Sequence, residues 1–312
     1  MVLTRTAEFS DLAACTALAL DAYRRERAAN PVLPAVQPED LADPLTRVLQ
    51  QGLGWLALEG GAAVGFLAFL PPFDGAFGNC RGVFSPVHAS AFGGSDPERT
   101  LTALLTEATA ALPAQGVTSL AISRYAHEET TLRGLALNGY GIRCCDLMRM
   151  TTPIPSPAPR FAVRRMLPGQ EAEAARLSNA LAAHMESAPV MMPKARITAQ
   201  QMAADRESIA YFACDGDRVF ALLTLEGGGE TFVDDLPGTM HIGKTYCEPA
   251  FRGSGAMDAL MAAALRDLAQ QGVARLGVDC ETLNPPAYRY WRKHFSPFTY
   301  SAVRRLDERL LV

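Results

Sequence analysis

The stretch that decides the fold runs from an apolar strand through a short basic loop into a helix. It reads Ile242-Gly243-Lys244-Thr245-Tyr246-Cys247-Glu248-Pro249-Ala250-Phe251-Arg252-Gly253-Ser254-Gly255-Ala256-Met257. Pro249 ends the strand because proline cannot donate to a sheet hydrogen-bond ladder. Apolar residues at helical spacing then predict a helix from Gly255 to Gln271. The stretch therefore predicts a strand–loop–helix crossover within an α/β sheet.

The loop has the properties of an anion-binding site. The first N–H groups of a helix have no intrahelical partner, and the helix dipole adds partial positive charge there. Gly253 and Gly255 carry no Cβ that would keep a diphosphate away, and we expect Arg252 to add a charged contact. The alternative is an ordinary turn in which Ser254 caps the helix. A P-loop does not fit, because Ala256-Met257-Asp258 follows the glycines where that motif has Gly-Lys-Ser/Thr. A Rossmann fingerprint does not fit either, because Asp258 stands where its third glycine would be.

The chain repeats itself. Residues 55–69 and 211–223 each predict a strand, a tight turn and a second strand. Gly216 follows Gly60, and Gly272 follows Gly116, by the same 156 positions. A constant offset across separate elements indicates an internal duplication, although two α/β domains can also resemble each other by chance.

Each half predicts the same order of elements: an opening strand, an Ala-rich helix, a hairpin, a fourth strand, a second helix and a fifth strand. The predicted fold class is α/β (or α+β), as two tandem domains that each hold a mixed, mostly antiparallel sheet flanked by helices. A proline-rich stretch at 152–160 predicts an extended linker. It separates a domain over 1–151 from one over 161–312.

Composition excludes several classes of function. The net charge of -4 and the isoelectric point near 5.8 argue against a nucleic-acid partner. The seven cysteines have no metal-ligand spacing, so we expect reduced thiols and no metal. No signal peptide or membrane-spanning run is visible, which predicts a cytoplasmic protein without a membrane partner.

The C-terminal half resembles the GNAT N-acyltransferase superfamily. Residues 249–255 are similar to the family's Pro-x-x-Arg-Gly-x-Gly after the fourth strand, with Ala250 in place of the usual Gln or Arg. Residues 284–295 are similar to its Asn-x-x-Ala-x-x-Phe-Tyr-x-x-x-Gly-Phe. The resemblance covers roughly Phe161 to Asp307 and implies that both halves are acyl-CoA N-acyltransferase-like domains.

The resemblance implies acetyl-CoA as cosubstrate. Loop amides would hold its diphosphate, and the fourth strand would pair with its pantetheine arm. The implied cofactor-binding residues are Tyr246, Cys247, Glu248, Arg252, Gly253, Ser254, Gly255, Ala256, Asn284 and Trp291. In the N-terminal half, Pro97 and Arg99 stand at the positions of the two loop glycines. We therefore expect a degenerate N-terminal domain and one site per chain.

The catalytic groups are less defined. Trp291 stands where the family often has a tyrosine that protonates the leaving thiolate, so Tyr290 beside it becomes a candidate. Tyr246 and Glu248 complete the catalytic set, and the candidate bases also include His241, His184 and Glu186. The family polarises the carbonyl with a strand-four N–H, which would lie near Cys247. A nucleophilic Cys247 is disfavoured because no histidine lies at a motif distance.

The predicted function is an acetyl-CoA-dependent N-acetyltransferase that acts on a small amine by direct transfer, with its site in the C-terminal domain. The alternative is a non-catalytic acyl-CoA-binding or regulatory protein, and a third possibility is a scaffold. We expect residues 187–193 to frame the acceptor, and no strong charged cluster indicates a charged one. The expected state is a monomer or a homodimer.

Overall fold

The computed structural model describes residues 1–50, 53–155, 160–205 and 208–306. These residues form two compact units. Unit 1 comprises residues 1–146 and the last strand, and unit 2 comprises Leu147–Phe295. The chain thus leaves unit 1 within β8 (Gly141–Met150) and returns to it with β14 (Ser296–Arg305). Within the proposed linker, residues 156–159 lie outside the described part, so the division at 152–160 stays a prediction.

Unit 1 contains two sheets. One holds β1 (Val2–Thr6), β2 (Gly54–Glu59), β3 (Ala62–Ala68) and β6 (Ser90–Phe92) in that order, with every neighbour antiparallel. The other places β4 (Phe73–Asp74), β5 (Arg81–Ser85), β7 (Ser119–Tyr125) and β14 side by side, and only β5 and β7 are parallel. Its helices are α1 (Leu12–Ala29), α2 (Pro38–Leu49), α3 (Pro97–Ala111) and α4 (Glu129–Leu137). Leucines of α3 pack with β2, β3 and β7 in one core cluster.

Unit 2 contains one described sheet, in the order β13 (Arg275–Glu281), β12 (Thr239–Cys247), β11 (Arg218–Glu226), β10 (Ile209–Asp215) and β9 (Ala162–Arg165). Only β12 and β13 run parallel within this set. Its helices are α5 (Glu171–Glu186), α6 (Ala199–Ala204), α7 (Ala256–Gln270) and α8 (Pro285–His294). One face of α5 packs with β10 and β11 in a buried cluster.

The predicted fold class is confirmed. Both units have mixed, mostly antiparallel sheets flanked by helices in the predicted order. The repeat extends into the backbone: Gly60 and Gly216 have φ of 59° and 58°, and Gly116 and Gly272 both have 74°. Such left-handed values favour glycine, which explains why the repeat keeps these residues. Among the described residues, no helix combines the length and apolarity needed to cross a bilayer.

Candidate functional site in unit 2

The sheet of unit 2 opens between its two parallel strands. β12 pairs with β13 from Thr239 to Ile242, opposite Arg275 to Val278, and the pairing ends there although both strands continue. In the described pairing, residues 245–247 of β12 have partners on the β11 side alone. Unpaired strand edges offer N–H and C=O groups to any extended ligand. The opening is therefore a slot in which such a ligand can add to β12.

The glycine loop lies at the end of this open edge. A short 3-10 turn, Pro249–Phe251, follows β12, and α7 begins at Ala256. Gly253 and Gly255 have φ of 76° and 84°, a region that L side chains rarely adopt. A Cβ at Gly253 would have no atom within 4 Å, so the space beside it is open. The backbone is therefore open beside Gly253, and binding of a ligand there stays a prediction.

Ser254 does not cap the helix. Its hydroxyl donates to the carbonyl of Phe251 at 2.6 Å, and the N-cap residue is Gly255, which has no side chain to accept a bond. The first amides of α7 are left without intrahelical partners, and the helix dipole makes them favourable to an anion. Ser254 is thus not the cap that the alternative expected, and we call the exposed amides of this loop the candidate anion cradle.

Two charged residues beside the loop are already engaged. The Nε of Arg252 donates to the carbonyl of Cys247 at 3.1 Å, and its guanidinium lies 5.8 Å from the ring centroid of Tyr246. Glu248 accepts hydrogen bonds from Arg176 at 2.9 Å and Arg218 at 2.5 Å. Partial burial raises the pKa of Glu248, but the two arginines outweigh it and hold the pKa below its usual value. An ion-paired carboxylate of low pKa is a weak base, so this environment argues against our catalytic assignment of Glu248.

A β-bulge interrupts β12 next to the slot. Ile242 pairs with Leu225 and Thr245 with Leu223, so Gly243 and Lys244 face the single residue Thr224. The hydroxyl of Thr224 accepts the N–H of Lys244 at 2.6 Å. Bulges turn backbone groups out of the regular ladder and redirect them. The resemblance had placed the carbonyl-polarising N–H near Cys247, whereas the irregular backbone lies at residues 243–244.

An open pocket of about 570 Å³ adjoins the bulge. Its wall contains one histidine and five carboxylates: His241, Asp205, Glu226, Glu230, Asp235 and Asp279. Glu226 reaches the bulge itself, because a Cβ built on Gly243 would lie 2.5 Å from its carboxylate. The sequence showed no strong charged cluster, because these carboxylates come from separate segments and are brought together only in the fold.

Desolvation raises the pKa of several carboxyl groups in and beside this pocket. Glu230 as a whole residue is exposed to solvent. Desolvation of its carboxyl group by the surrounding residues, together with the charge of nearby Asp279, raises its pKa to about 7. Desolvation also raises the pKa of Asp234 and Asp279, and the nearby His241 partly offsets it. A carboxyl that titrates near neutrality is suited to accept a proton.

Three further predicted residues lie in α8 or at its start, and this helix packs against β13. Burial and the neighbouring Asp258 raise the pKa of Tyr290, which makes its hydroxyl a poorer acid than predicted. Trp291 is buried against the rings of Tyr290 and Phe295. Asn284 is the N-cap residue of α8, but its side chain makes no cap bond and its amide instead faces the sulfur of Met185 at 3.8 Å. The roles predicted for these three residues stay predictions.

Other candidates are also engaged. Burial raises the pKa of the Cys247 thiol to about 11, so it stays protonated and is a poor nucleophile. The side chain of Glu186 pairs with Arg196 at 2.6 Å. In the segment expected to frame the acceptor, Val190 and Met192 are buried in a small apolar cluster. Lys194, which follows them, lies close enough to lower the pKa of Glu230 and Asp279.

The sequence reasoning missed the acidic pocket. Its carboxylates come from separate segments, and one local signal was present: the run Gly227-Gly228-Gly229 between two acidic stretches. A Cβ at Gly229 would lie 2.7 Å from the carboxylate of Asp234, and one at Gly228 would lie 3.0 Å from that of Asp235. The glycines are needed because the loop wraps closely around these acids.

Unit 2 is therefore an α/β domain in which the candidate anion cradle lies at the end of two parallel strands, β12 and β13, that separate. Residues 179–295, inside unit 2, match the model of the acetyltransferase (GNAT) family. The match confirms the resemblance seen in the sequence and contains both motifs that carried it. It supports acyl-CoA-dependent acetyl transfer as the general activity of this domain.

Solved structures extend the likeness in fold to the whole chain. A GCN5-related N-acetyltransferase from Sphaerobacter thermophilus has a TM-score of 0.62 at 15% identity, over 98% of this chain and 96% of that one. A glucosamine N-acetyltransferase region in a fungal multi-domain GH3 β-N-acetylglucosaminidase has a TM-score of 0.58 at 14% identity, over 97% and 38% of the two chains. No curated protein matches the sequence. At these identities the likeness shows the fold alone.

Proposed function

We propose that unit 2 is an acetyl-CoA-dependent N-acetyltransferase that transfers the acetyl group directly to a small amine. The observation that carries the proposal is the uncapped start of α7, reached through Gly253 and Gly255 at the end of an open strand edge. A nucleotide diphosphate suits the cradle because helix-terminal amides and the dipole favour negative charge. The adjoining edge of β12 suits the amide-containing pantetheine arm, which can pair as a strand does.

In this proposal the parts of acetyl-CoA lie one after another along β12. The diphosphate occupies residues 253–256, the pantetheine follows the edge at 244–247, and the thioester carbonyl reaches the bulge at Gly243. Backbone groups turned out by the bulge are placed to polarise that carbonyl. The acceptor enters from the acidic pocket beside Glu226.

The protonation of Cys247, a cysteine beside the loop, supports direct transfer. Cys247 keeps its proton at neutral pH, so an acyl-enzyme on it is disfavoured. We assign Glu230 to take up the proton of the amine, since it titrates near neutrality. Of the predicted tyrosines, Tyr246 lies on the open part of β12 and is our candidate to protonate the thiolate.

A non-catalytic acyl-CoA-binding protein is the second candidate, favoured by the buried Trp291 in place of the family's tyrosine. The test has two steps. Calorimetric titration with acetyl-CoA measures binding, and a thiol assay then measures CoA release across a panel of amines. Release with any amine supports the transferase, binding without release on the whole panel supports the second candidate, and absence of binding contradicts both.

A further inference from the structure

The acidic pocket concentrates negative charge on one side of β12. Among the residues that the structure describes, five of those that line it are acidic and none is Lys or Arg. Lys194 acts on Glu230 and Asp279 from outside the lining. Desolvation raises the pKa of Glu230, Asp234 and Asp279, and repulsion from Asp279 adds a smaller contribution at Glu230 and Asp234. A cationic ligand would relieve this repulsion.

A buried histidine supplies an independent sign of a ligand. The side chain of His241 is 3% exposed, lines the pocket, and its Nδ1 has no hydrogen-bond partner among the described residues. Its Nε2 lies 3.9 Å from the carboxylate of Asp279. A buried ring nitrogen without a partner carries a desolvation cost. An N–H donor from a bound amine would remove that cost.

The pocket also lies next to the proposed reaction centre. His241 precedes the bulge on the same strand, and Glu226 contacts the backbone of Gly243. A ligand in the pocket therefore lies beside the point where the thioester carbonyl is expected. This step rests on the proposed function; the charge and the unpaired imidazole do not.

We propose that this pocket binds the acceptor, and that the acceptor is an alkyl amine with at least two positive charges, a diamine or an oligoamine. One ammonium group stays among the carboxylates while the other amine, once neutral, reaches the thioester. Its nitrogen forms a bond to the acetyl carbon and the carbon–sulfur bond breaks. The proton lost by the nitrogen is balanced by the proton that the CoA thiolate gains.

The experiment compares 1,4-diaminobutane with 1-butylamine, which have the same chain and differ by one charge. Calorimetry is performed on the full chain without acetyl-CoA. We expect the diamine to bind at least about tenfold more tightly, the equivalent of about 1.4 kcal/mol. Equal affinities, or binding of calcium chloride in place of the diamine, would overturn the proposal.

Two variants locate the binding. Glu230→Gln combined with Asp235→Asn removes two charges from exposed positions, so folding should persist, and we expect the diamine preference to fall about tenfold. Asp217→Asn removes an exposed carboxylate from the same unit, in the β10–β11 turn outside the pocket, and should leave the preference unchanged. Equal effects of the two changes would contradict a local site.

The same protein separates this inference from the proposed function. Acetylation of both amines with equal kcat/KM contradicts the acceptor class and leaves the transferase intact. Diamine binding without any acetyl-CoA binding contradicts the transferase and supports the cation site. Preferential acetylation of the diamine supports both.

Discussion

The starts of α3 and α7 occupy the same place in the repeated order of elements, yet they are built with opposite electrostatics. At α3, the carboxylate of Asp96 accepts the N–H of Arg99 at 3.1 Å, and Pro97 removes one further N–H. The preceding Ser95 gives both its N–H and its hydroxyl to Glu59. At α7, the N-cap residue is Gly255, which has no side chain and makes no cap bond.

The fold places a helix N-terminus at this point in both units, and the residues at that terminus determine whether it can bind an anion. Capping α3 stabilises unit 1 and places two negative charges where a phosphate would bind. With Gly255 as its N-cap, α7 forgoes only about 0.3 kcal/mol of helix stability and keeps its first amides available. Unit 2 instead places its carboxylates in the acidic pocket next to β12, where they can meet a cation.

The largest expected effect comes from closing the α7 cradle. Gly253→Glu introduces a negative charge and a side chain where φ is 76°. Strain and charge repulsion together should weaken acetyl-CoA binding by about 100-fold, or about 2.8 kcal/mol at about 1.4 kcal/mol per decade. Isothermal calorimetry measures the loss.

The chain offers a matched control for that change. Gly272 has φ of 74° and, like Gly253, no atom within 4 Å of an added Cβ, but it lies after α7. Gly272→Glu therefore carries the same strain and charge without reaching the cradle, and acetyl-CoA affinity should stay within about twofold. If both variants lose affinity alike, the loop is not the phosphate site.

The second expected effect is a pH dependence of diamine binding, which tests the carboxylates that unit 2 holds in its acidic pocket. Glu230 has a raised pKa, so acidification from pH 8 to pH 6 should neutralise it and weaken diamine binding up to about tenfold. The diamine itself stays protonated across that range, because alkyl ammonium groups titrate near pH 10. The groups that influence Glu230 are Lys194, Asp234, Asp279 and Glu281.

Calorimetry at both pH values, on the wild type and on Glu230→Gln, checks this prediction. The variant should bind the diamine with little pH dependence, since the titrating carboxyl is gone. A pH profile that survives the substitution would assign the titration to other members of the cluster.

A third, smaller effect tests the capped helix. Asp96→Ala removes the bond to the N–H of Arg99 and should destabilise unit 1 by about 1 kcal/mol, while Asp96→Asn keeps a cap and costs little. Urea unfolding followed by Trp55 fluorescence, in a Trp291→Phe background, reports on unit 1. Neither variant should gain acetyl-CoA affinity, and such a gain would show that charge alone closed α3.

The fold was largely predictable because its signals are local. Prolines, left-handed glycines and helical spacing are short-range features, and the loop at 249–255 combined them in order. Strand β14 shows the limit: it pairs with β7 of unit 1, although it follows unit 2 directly along the chain. Such a partner is set by long-range packing, which no local pattern encodes.

The acidic pocket shows the same limit for the site. Glu226 and Asp279 come from different strands, and Asp205 follows a different helix, so their proximity arises only through the sheet. Asp and Glu residues are mostly exposed in proteins, so each of these carboxylates on its own is read from the sequence as an ordinary surface residue. The reverse error occurred at Glu248, whose position beside the loop favoured catalysis until Arg176 and Arg218 proved to engage it.

The smallest expected effect concerns that residue. Glu248→Gln leaves the shape of the loop edge intact but removes a carboxylate that two arginines hold, so kcat should fall by no more than about twofold. A catalytic base would instead lose about 100-fold or more on this substitution. Steady-state kinetics with the best acceptor measures the ratio, and Glu230→Gln serves as the matched comparison with the same chemical change. A larger loss at Glu248 than at Glu230 would move the proton acceptor from the acidic pocket to the loop, and the two ends of β12 would exchange their proposed roles.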